Sequence, residues 1–438
     1  MSRRFLPAER PLTGTVRVPG DKSISHRAVL FAAMSEGRSH LTGVLDSADV
    51  RSTIAAVSCL GADVEIVGKV PTGLELVVTG WGARGPVPGT ALIDCGNSGT
   101  TCRLLLGVLA GWPVSATLDG DASLRRRPMR RVTEPLESMG ARVTTVDGHL
   151  PVTITGGSLH AVRFESPVAS AQVKTAVLLA GTRATGETVV TEPALSRDHS
   201  ELLLPAFGVP VTCEYSEIAC ELSGPAPMTA TDIVVPGDPS SAAFLVAAAA
   251  LVPGSEIVLP EVALNPTRLG FVRVLRRMGA DVDVERERSI GAEPVGEITA
   301  LFRLGLSATT VSAPEVPSLI DEIPVLAVVA CAAHGTTRFD GVGELRVKES
   351  DRLAAIADGL TGLGGVVRTG EDWLEVDGPT RLHGATLDSD GDHRLAMAWA
   401  VASLIAAGPV TVDRWEAVDV SYPRFAEDFA SLAGVTDR

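Results

Sequence analysis

Val18-Pro19-Gly20-Asp21-Lys22-Ser23-Ile24-Ser25-His26-Arg27, followed at once by the apolar run from Ala28 to Met34, is the stretch on which the reading of this chain turns. Proline and glycine end a strand expected over 14–18, a Ser or Asp caps the next segment, and the apolar periodicity there predicts a helix. Such a helix start presents backbone N–H groups and the positive end of its dipole. Lys22 and Arg27 add two full charges, a combination that suits phosphate or carboxylate. Alone, a Gly-Asp-Lys-Ser turn is an ordinary helix cap. Its weight comes from recurrence.

The same unit returns along the chain: a polar turn, an apolar helix of about three turns, a glycine, then a short β-branched strand. After Ser23 to Met34 it reopens at Asn97-Ser98-Gly99-Thr100-Thr101, at Ser170-Ala171-Gln172, at Pro236-Gly237-Asp238-Pro239-Ser240, at Asp321-Glu322 and at Asp392-His393-Arg394. The anchors Ser23, Asn97, Ser170, Ser240, Asp321 and His393 lie roughly 70 to 81 residues apart, longer than a solenoid period. A second helix in most units ends in glycine at Gly61, Gly140, Gly208, Gly279 and Gly364, as a left-handed C-cap requires; only the last, Leu432-Ala433-Gly434, is ragged. Val18-Pro19-Gly20-Asp21 also matches Val235-Pro236-Gly237-Asp238. The expectation is an α/β protein of two similar lobes, each of three repeats: 15–233, and 1–14 together with 234–438, with hinges near 14–20 and 232–238. Clefts between lobes are where small ligands bind, so the active site is expected there.

Composition agrees. At 438 residues the chain is long for one core, and 45% apolar residues with 4% aromatic suit a packed Ala-, Val- and Leu-rich α/β protein. Net charge −15 argues against nucleic acid as a partner and for a cytoplasmic protein. Six scattered cysteines without Cys-x-x-Cys or paired histidines argue against zinc or a disulfide framework. Met1 to Pro7 has no apolar signal core, and the runs Ala242 to Val252 and Ile323 to Ala333 fall short of the roughly 20 residues of a membrane helix. They read as buried helices.

Polar residues that do not repeat gather at one point of each unit, at or before its first helix: Lys22, Ser23 and Arg27; Asn97 and Gly99; Ser170 and Gln172; Asp321 and Glu322; His393 and Arg394. Together they predict an anion-attracting site in an acidic protein. Asp121 to Met129 adds a basic loop, which alone could be solvated surface. Lys348-Glu349-Ser350-Asp351-Arg352 places Lys348 and Arg352 on one helical face by their i,i+4 spacing, although an ordinary ion-paired helix would read the same.

Seven motifs in order carry a resemblance that runs nearly end to end: Pro19 to Arg27, Gly96 to Thr101, Arg127-Pro128-Met129, Ser170-Ala171-Gln172, Leu319-Ile320-Asp321-Glu322, Arg346 to Arg352 and Asp392-His393-Arg394. In these the chain resembles the 5-enolpyruvylshikimate-3-phosphate synthases. The resemblance implies two lobes of three βαβαββ repeats, the enolpyruvyl transferase fold. It also implies transfer of the enolpyruvyl group of phosphoenolpyruvate to the 5-hydroxyl of shikimate 3-phosphate, with no metal or cofactor and with a monomeric protein free of membrane and nucleic acid. Two anionic substrates repel in water, so such an enzyme must neutralise several charges and hold the pair in line.

By that resemblance Lys22, Ser23, Arg27, Ser170, Ala171, Gln172, Ser196, Arg197, Asp321 and Lys348 would hold shikimate 3-phosphate. Lys22, Gly99, Arg127, Gln172, Arg352 and Arg394 would surround phosphoenolpyruvate. Asp321 would take the proton of the attacking hydroxyl, and Glu349, with Lys348 or Lys22 near, would protonate the methylene. Where many members carry a lysine near the carboxy terminus, this chain reads Val420-Ser421-Tyr422-Pro423-Arg424-Phe425, leaving open whether Arg424 replaces it. Ser170 to Lys174, Arg197 to Glu201 and Asn265 to Arg268 resemble the glyphosate-tolerant class, yet Gly99 stands where some tolerant members carry Ala. Transfer to a UDP-amino sugar is the nearest rival, but the corresponding stretch Trp112 to Arg127 lacks that family's loop cysteine. A related RNA-end cyclase sits poorly with the acidic balance. A non-catalytic phosphate-ligand module would need the cations but not Asp321 and Glu349.

Overall fold

The computed structural model describes residues 1–87, 90–290 and 292–433. Gly434, and with it the ragged end of the sixth unit, lies outside them. The chain divides into two compact bodies, one of Gly20–Pro236 with Ser289–Glu293 and the other of Met1–Pro19, Gly237–Arg288 and Pro294–Arg438. They are termed the first and second body.

Each repeat builds one small sheet. In the second repeat Thr90–Asp94 runs parallel to Ser115–Asp119, joined by the helix Gly99–Ala110, and the hairpin Arg142–Val146/His149–Thr155 completes it antiparallel. A parallel pair needs a crossover and an antiparallel pair needs only a turn, so the helical period selects one connection and the Asp147-Gly148 turn the other. The third and fifth repeats follow the same strand order, and so does the first, whose opening strand Ile233–Val234 comes from the far end of its body to pair parallel with Arg38–Val44. Reciprocally, Thr13–Thr15 opens the fourth repeat beside Glu256–Ala263, and Arg3–Phe5 completes the sixth against Val410–Asp413.

The strand expected over 14–18 is therefore shorter and earlier. Its register with Glu256 to Val258 ends at Thr15, after one more bond from Val16 N–H to the Val258 carbonyl at 3.0 Å. Pro19 then offers no N–H, and Gly20 N–H goes instead to the Thr72 carbonyl of the first body at 2.8 Å.

The first helices of the repeats form the cores. Lys22–Met34, Gly99–Ala110 and Ala171–Gly181 pack in the first body, and Pro239–Leu251, Ile323–Ala330 and His393–Ser403 in the second. They are apolar nearly all round, and every residue of Pro239–Leu251 is buried. Small residues allow this: a Cβ on Gly107 would stand 2.2 Å from the Ala176 carbonyl oxygen of the neighbouring helix. The five glycines expected to end second helices all have positive φ, from +84° at Gly208 to +113° at Gly140. Among the described residues no helix is long and apolar enough to cross a membrane.

Candidate active site

Burying these helices all round leaves their amino-terminal ends as the place where polar side chains can gather. Five of the six are capped by their own N-cap side chains, and the fifth, Ile323–Ala330, has no side-chain cap. Asp21 accepts from Ile24 N–H at 2.8 Å, Ser98 from Thr101 N–H at 3.1 Å and Ser170 from Val173 N–H at 3.5 Å, while Asp238 and Asp392 cap the fourth and sixth. Ligand recognition at these ends thus falls chiefly to side chains.

In the first body Lys22 Nζ lies 3.2 Å from Asp49 Oδ2, a carboxylate that the sequence pattern does not single out. Arg27 is 2% exposed and donates to the Ser200 hydroxyl at 2.7 Å, the Thr175 hydroxyl at 2.9 Å and the Ser23 carbonyl at 3.0 Å. Burial pushes its guanidinium down to about 10, still charged at neutral pH. Arg197 reaches the Ser23 hydroxyl at 3.5 Å. Arg127 donates to Asn97 Oδ1 at 2.7 Å, and Asn97 in turn donates to Asp121 at 2.7 Å. The expected basic loop is split: Arg125 pairs with Asp119 on the surface, whereas Arg127 turns inward and is buried.

Gly99 opens its helix directly under Arg127, and a Cβ there would stand 3.1 Å from Arg127 Nη1 and 3.5 Å from Arg103 Nη1. Arg103 was missed because it falls within an apolar helical run. It donates to Gln172 Oε1 at 2.5 Å and to the Pro128 carbonyl at 3.2 Å, and Gln172 donates on to Thr100 at 2.9 Å. Ser23, Arg27 and Arg197 are thus linked, with Lys22 next in sequence and paired to Asp49, and Gly99, Arg127 and Gln172 are linked through Arg103. Ser170 and Ser196, with Ala171 opening the helix, are brought together through Glu192.

The second body gathers Asp321, Lys348, Glu349, Arg352 and Arg394. Arg352, 1% exposed, donates to Asp392 Oδ2 at 2.7 Å, Asp321 Oδ1 at 3.0 Å and Glu349 Oε2 at 2.6 Å. Burial alone would weaken its charge, but the Asp392, Glu349 and Asp321 carboxylates hold it above the usual arginine range. Lys348 Nζ stands 3.6 Å and Arg394 Nη2 4.0 Å from Asp321.

Lys348 and Arg352 do not share a helical face, contrary to the i,i+4 expectation. Lys348 is extended, Asp351 caps the next helix by accepting from Ala354 N–H, and Arg352 is that helix's first residue. They meet at Asp321 because the chain turns between them. Beneath Arg394, which lies 3.5 Å from Glu322 Oε1, the Ser240 hydroxyl donates to that same oxygen, and Arg268 donates to both Asp238 and Ser240 at 2.8 Å. Arg394 Nε also donates to His393 Nε2 at 3.1 Å. Arg424 is half-exposed beside Asp428 and the Arg17 carbonyl.

The two clusters differ in charge. Guanidiniums of the first body rest largely on neutral oxygens, and those of the second on carboxylates. The first can draw anions, while the second sets proton acceptors beside cations.

Comparison with known proteins gives the family. The family model described as EPSP synthase (3-phosphoshikimate 1-carboxyvinyltransferase) matches residues 7–429. The chain is 45% identical over 436 residues to a Bacillus cereus 3-phosphoshikimate 1-carboxyvinyltransferase, covering 98% of this chain and 99% of that one. It is 48% identical over 418 residues to the enzyme of that name from Halorhodospira halophila, covering 95% and 93%. The solved structure of EPSP synthase from Acinetobacter baumannii superposes with a TM-score of 0.86 at 40% identity, covering 99% of this chain and 98% of that one. The enolpyruvyl transferase NikO from Streptomyces tendae, at 19% identity and TM-score 0.80, covers 98% and 97% and shares the fold. With a family match across almost the whole length and relatives well above 40% identity, the chain belongs to the EPSP synthase (3-phosphoshikimate 1-carboxyvinyltransferase) family.

Proposed function

We propose that this protein transfers the enolpyruvyl group of phosphoenolpyruvate to the 5-hydroxyl of shikimate 3-phosphate and releases inorganic phosphate, as a cytoplasmic, monomeric enzyme of the shikimate pathway. One observation carries the reading: Asp321 sits within 4.0 Å of three cations, Lys348, Arg352 and Arg394, while Glu349 shares Arg352 with it. A module that only bound phosphate would gain nothing from two carboxylates placed there. A transferase needs them.

Attack of an alcohol on the enol carbon requires a base at the hydroxyl and an acid at the methylene. Loss of phosphate and of a proton from the new methyl group then restores the double bond. Asp321 takes the hydroxyl proton, held in orientation by Arg352 and Lys348. Glu349, with Lys348 or Lys22 near, supplies the methylene proton. The Arg352 guanidinium that donates to Glu349 is also the one that holds the phosphoenolpyruvate carboxylate, so the two carboxylates compete for the same donors. Lys22, Ser23, Arg27, Ser170, Ala171, Gln172, Ser196, Arg197, Asp321 and Lys348 hold shikimate 3-phosphate; Gly99 leaves room for Arg127, which with Lys22, Gln172, Arg352 and Arg394 holds phosphoenolpyruvate.

The decisive assay is phosphate release from purified protein given both substrates, beside a UDP-N-acetylglucosamine control. Release that requires shikimate 3-phosphate supports the reading. No release, with both ligands still bound, moves the protein to a binding role or another acceptor.

A further inference from the structure

Glu192 follows the strand Gly186–Thr191 and collects three donors. Ser170 N–H reaches Oε1 at 2.8 Å, while the Ser196 hydroxyl and Lys174 Nζ both reach Oε2 at 2.7 Å. Lys174 in turn meets Glu201 Oε1 at 2.8 Å. Lys174 is 3% exposed, Ser196 4%, and Glu192 and Glu201 5% each. No step of the proposed reaction uses Lys174, Glu192 or Glu201.

As a stabilising device the triad is poor. Taking two carboxylates and an ammonium out of water is costly, and apolar residues of like volume often do as well. The second oxygen of Glu201 has no hydrogen-bond partner among the described residues, and burial pushes that carboxyl's pKa up. Burial alone would lower the Lys174 ammonium, but Glu201 and Glu192 hold it higher than usual, so it stays charged. The triad does have one geometric effect. It ties the start of the third repeat's first helix, at Ser170, to Ser196, 26 residues further along the chain.

We infer that Glu192 is a positioning residue for the shikimate 3-phosphate half-site, held by Lys174 and acting through the Ser196 hydroxyl and the Ser170 main chain. This rests on the functional reading above, in which both serines touch that substrate. Phosphoenolpyruvate binding calls on neither serine, so loss of Glu192 should weaken one substrate and spare the other.

The test is steady-state kinetics of Glu192→Gln, Ser196→Ala and the double variant, each checked for a cooperative thermal transition. Glutamine keeps one acceptor oxygen but turns an NH2 toward Ser196 or Lys174. The expected result for Glu192→Gln is at least a tenfold rise in KM for shikimate 3-phosphate, with KM for phosphoenolpyruvate within twofold. Ser196→Ala should raise the same KM, and the double variant should fall short of the product of the two single effects, since part of the Glu192 effect runs through that hydroxyl. Unchanged KM values, equal rises for both substrates, or additive effects would overturn the inference. Should Glu192→Gln fail to fold, Ser196→Ala decides: it leaves the ion network intact, and an unchanged KM for shikimate 3-phosphate overturns the inference alone. Wild-type protein that neither binds nor turns over shikimate 3-phosphate overturns the functional reading as well. Normal wild-type turnover with an unaffected Glu192→Gln removes only the role given to Glu192.

Discussion

Arg27 and Arg352 are both buried guanidiniums, one in each body, and they have opposite company. Arg27 donates to two hydroxyls and a carbonyl, whereas Arg352 donates to three carboxylates. Neutral acceptors satisfy the Arg27 N–H groups, and the Glu201, Asp21 and Glu293 carboxylates act on its charge without a hydrogen bond to it. Carboxylates more than cancel the charge of Arg352, which works by holding Asp321, Glu349 and Asp392 close together. On the proposed mechanism the first body receives the phosphorylated ligand and the second moves protons.

The sharpest way to break this comparison is Asp321→Asn. The amide keeps the shape and loses the base, so turnover should fall by about 10²–10⁴. A phosphate-release rate within tenfold of wild type would remove Asp321 from the chemistry.

Next in size are the two arginines themselves. Arg352→Met strands three carboxylates around one lost cation and should cost roughly 3–5 kcal/mol in urea unfolding. Arg27→Met removes three hydrogen bonds, with the Thr175 and Ser200 hydroxyls still 2.6 Å apart and bonded to each other, and should cost roughly 1–3 kcal/mol. Equal losses would mean that the two partner sets do not differ electrostatically.

His26 reports the local field of Lys22 and Arg27 in its buried surroundings. Burial first, then Lys22 and Arg27, lower its pKa well below 6.5, and its Nδ1 lies 2.7 Å from the Thr53 hydroxyl. The ring is neutral in the fold, and unfolding lets it take a proton once the pH is below about 6.5. The unfolded state then binds more protons, so stability falls with acidification by about 1.4 kcal/mol per pH unit for this one group. His26→Gln should flatten the measured slope between pH 6.5 and 5 by that amount; an unchanged slope would mean the ring is already charged in the fold.

The smallest effect is at Gly99. Gly99→Ala brings a methyl to 3.1 Å from Arg127 Nη1, which must give by a few tenths of an ångström. KM for phosphoenolpyruvate should rise several-fold, with KM for shikimate 3-phosphate little changed. A change in the latter alone would reassign Gly99 and Arg127.

Much of the fold and site is legible in the sequence because the signals are local and repeated. The motif Pro-Gly-Asp before an apolar helix marks the helix starts at Lys22 and Pro239, and the Met-Gly-Ala pattern marks helix ends whose glycines do take positive φ. The features that escape are set by distance along the chain. Asp49 meets Lys22 from another helix, and Ile233–Val234 completes a sheet begun at Arg38, pairings that no local periodicity encodes. Arg103 is hidden in an apolar run whose buried face it shares. Spacing alone assigns Lys348 and Arg352 to one helix, and Asp351, a strong cap between them, is the overlooked signal.

The most direct test of the division between the bodies is calorimetric titration of shikimate 3-phosphate, without phosphoenolpyruvate, into wild type, Asp321→Asn and Arg27→Met. The account predicts affinity within tenfold of wild type for Asp321→Asn and a loss of thirtyfold or more for Arg27→Met. Binding abolished by Asp321→Asn and retained by Arg27→Met would contradict it.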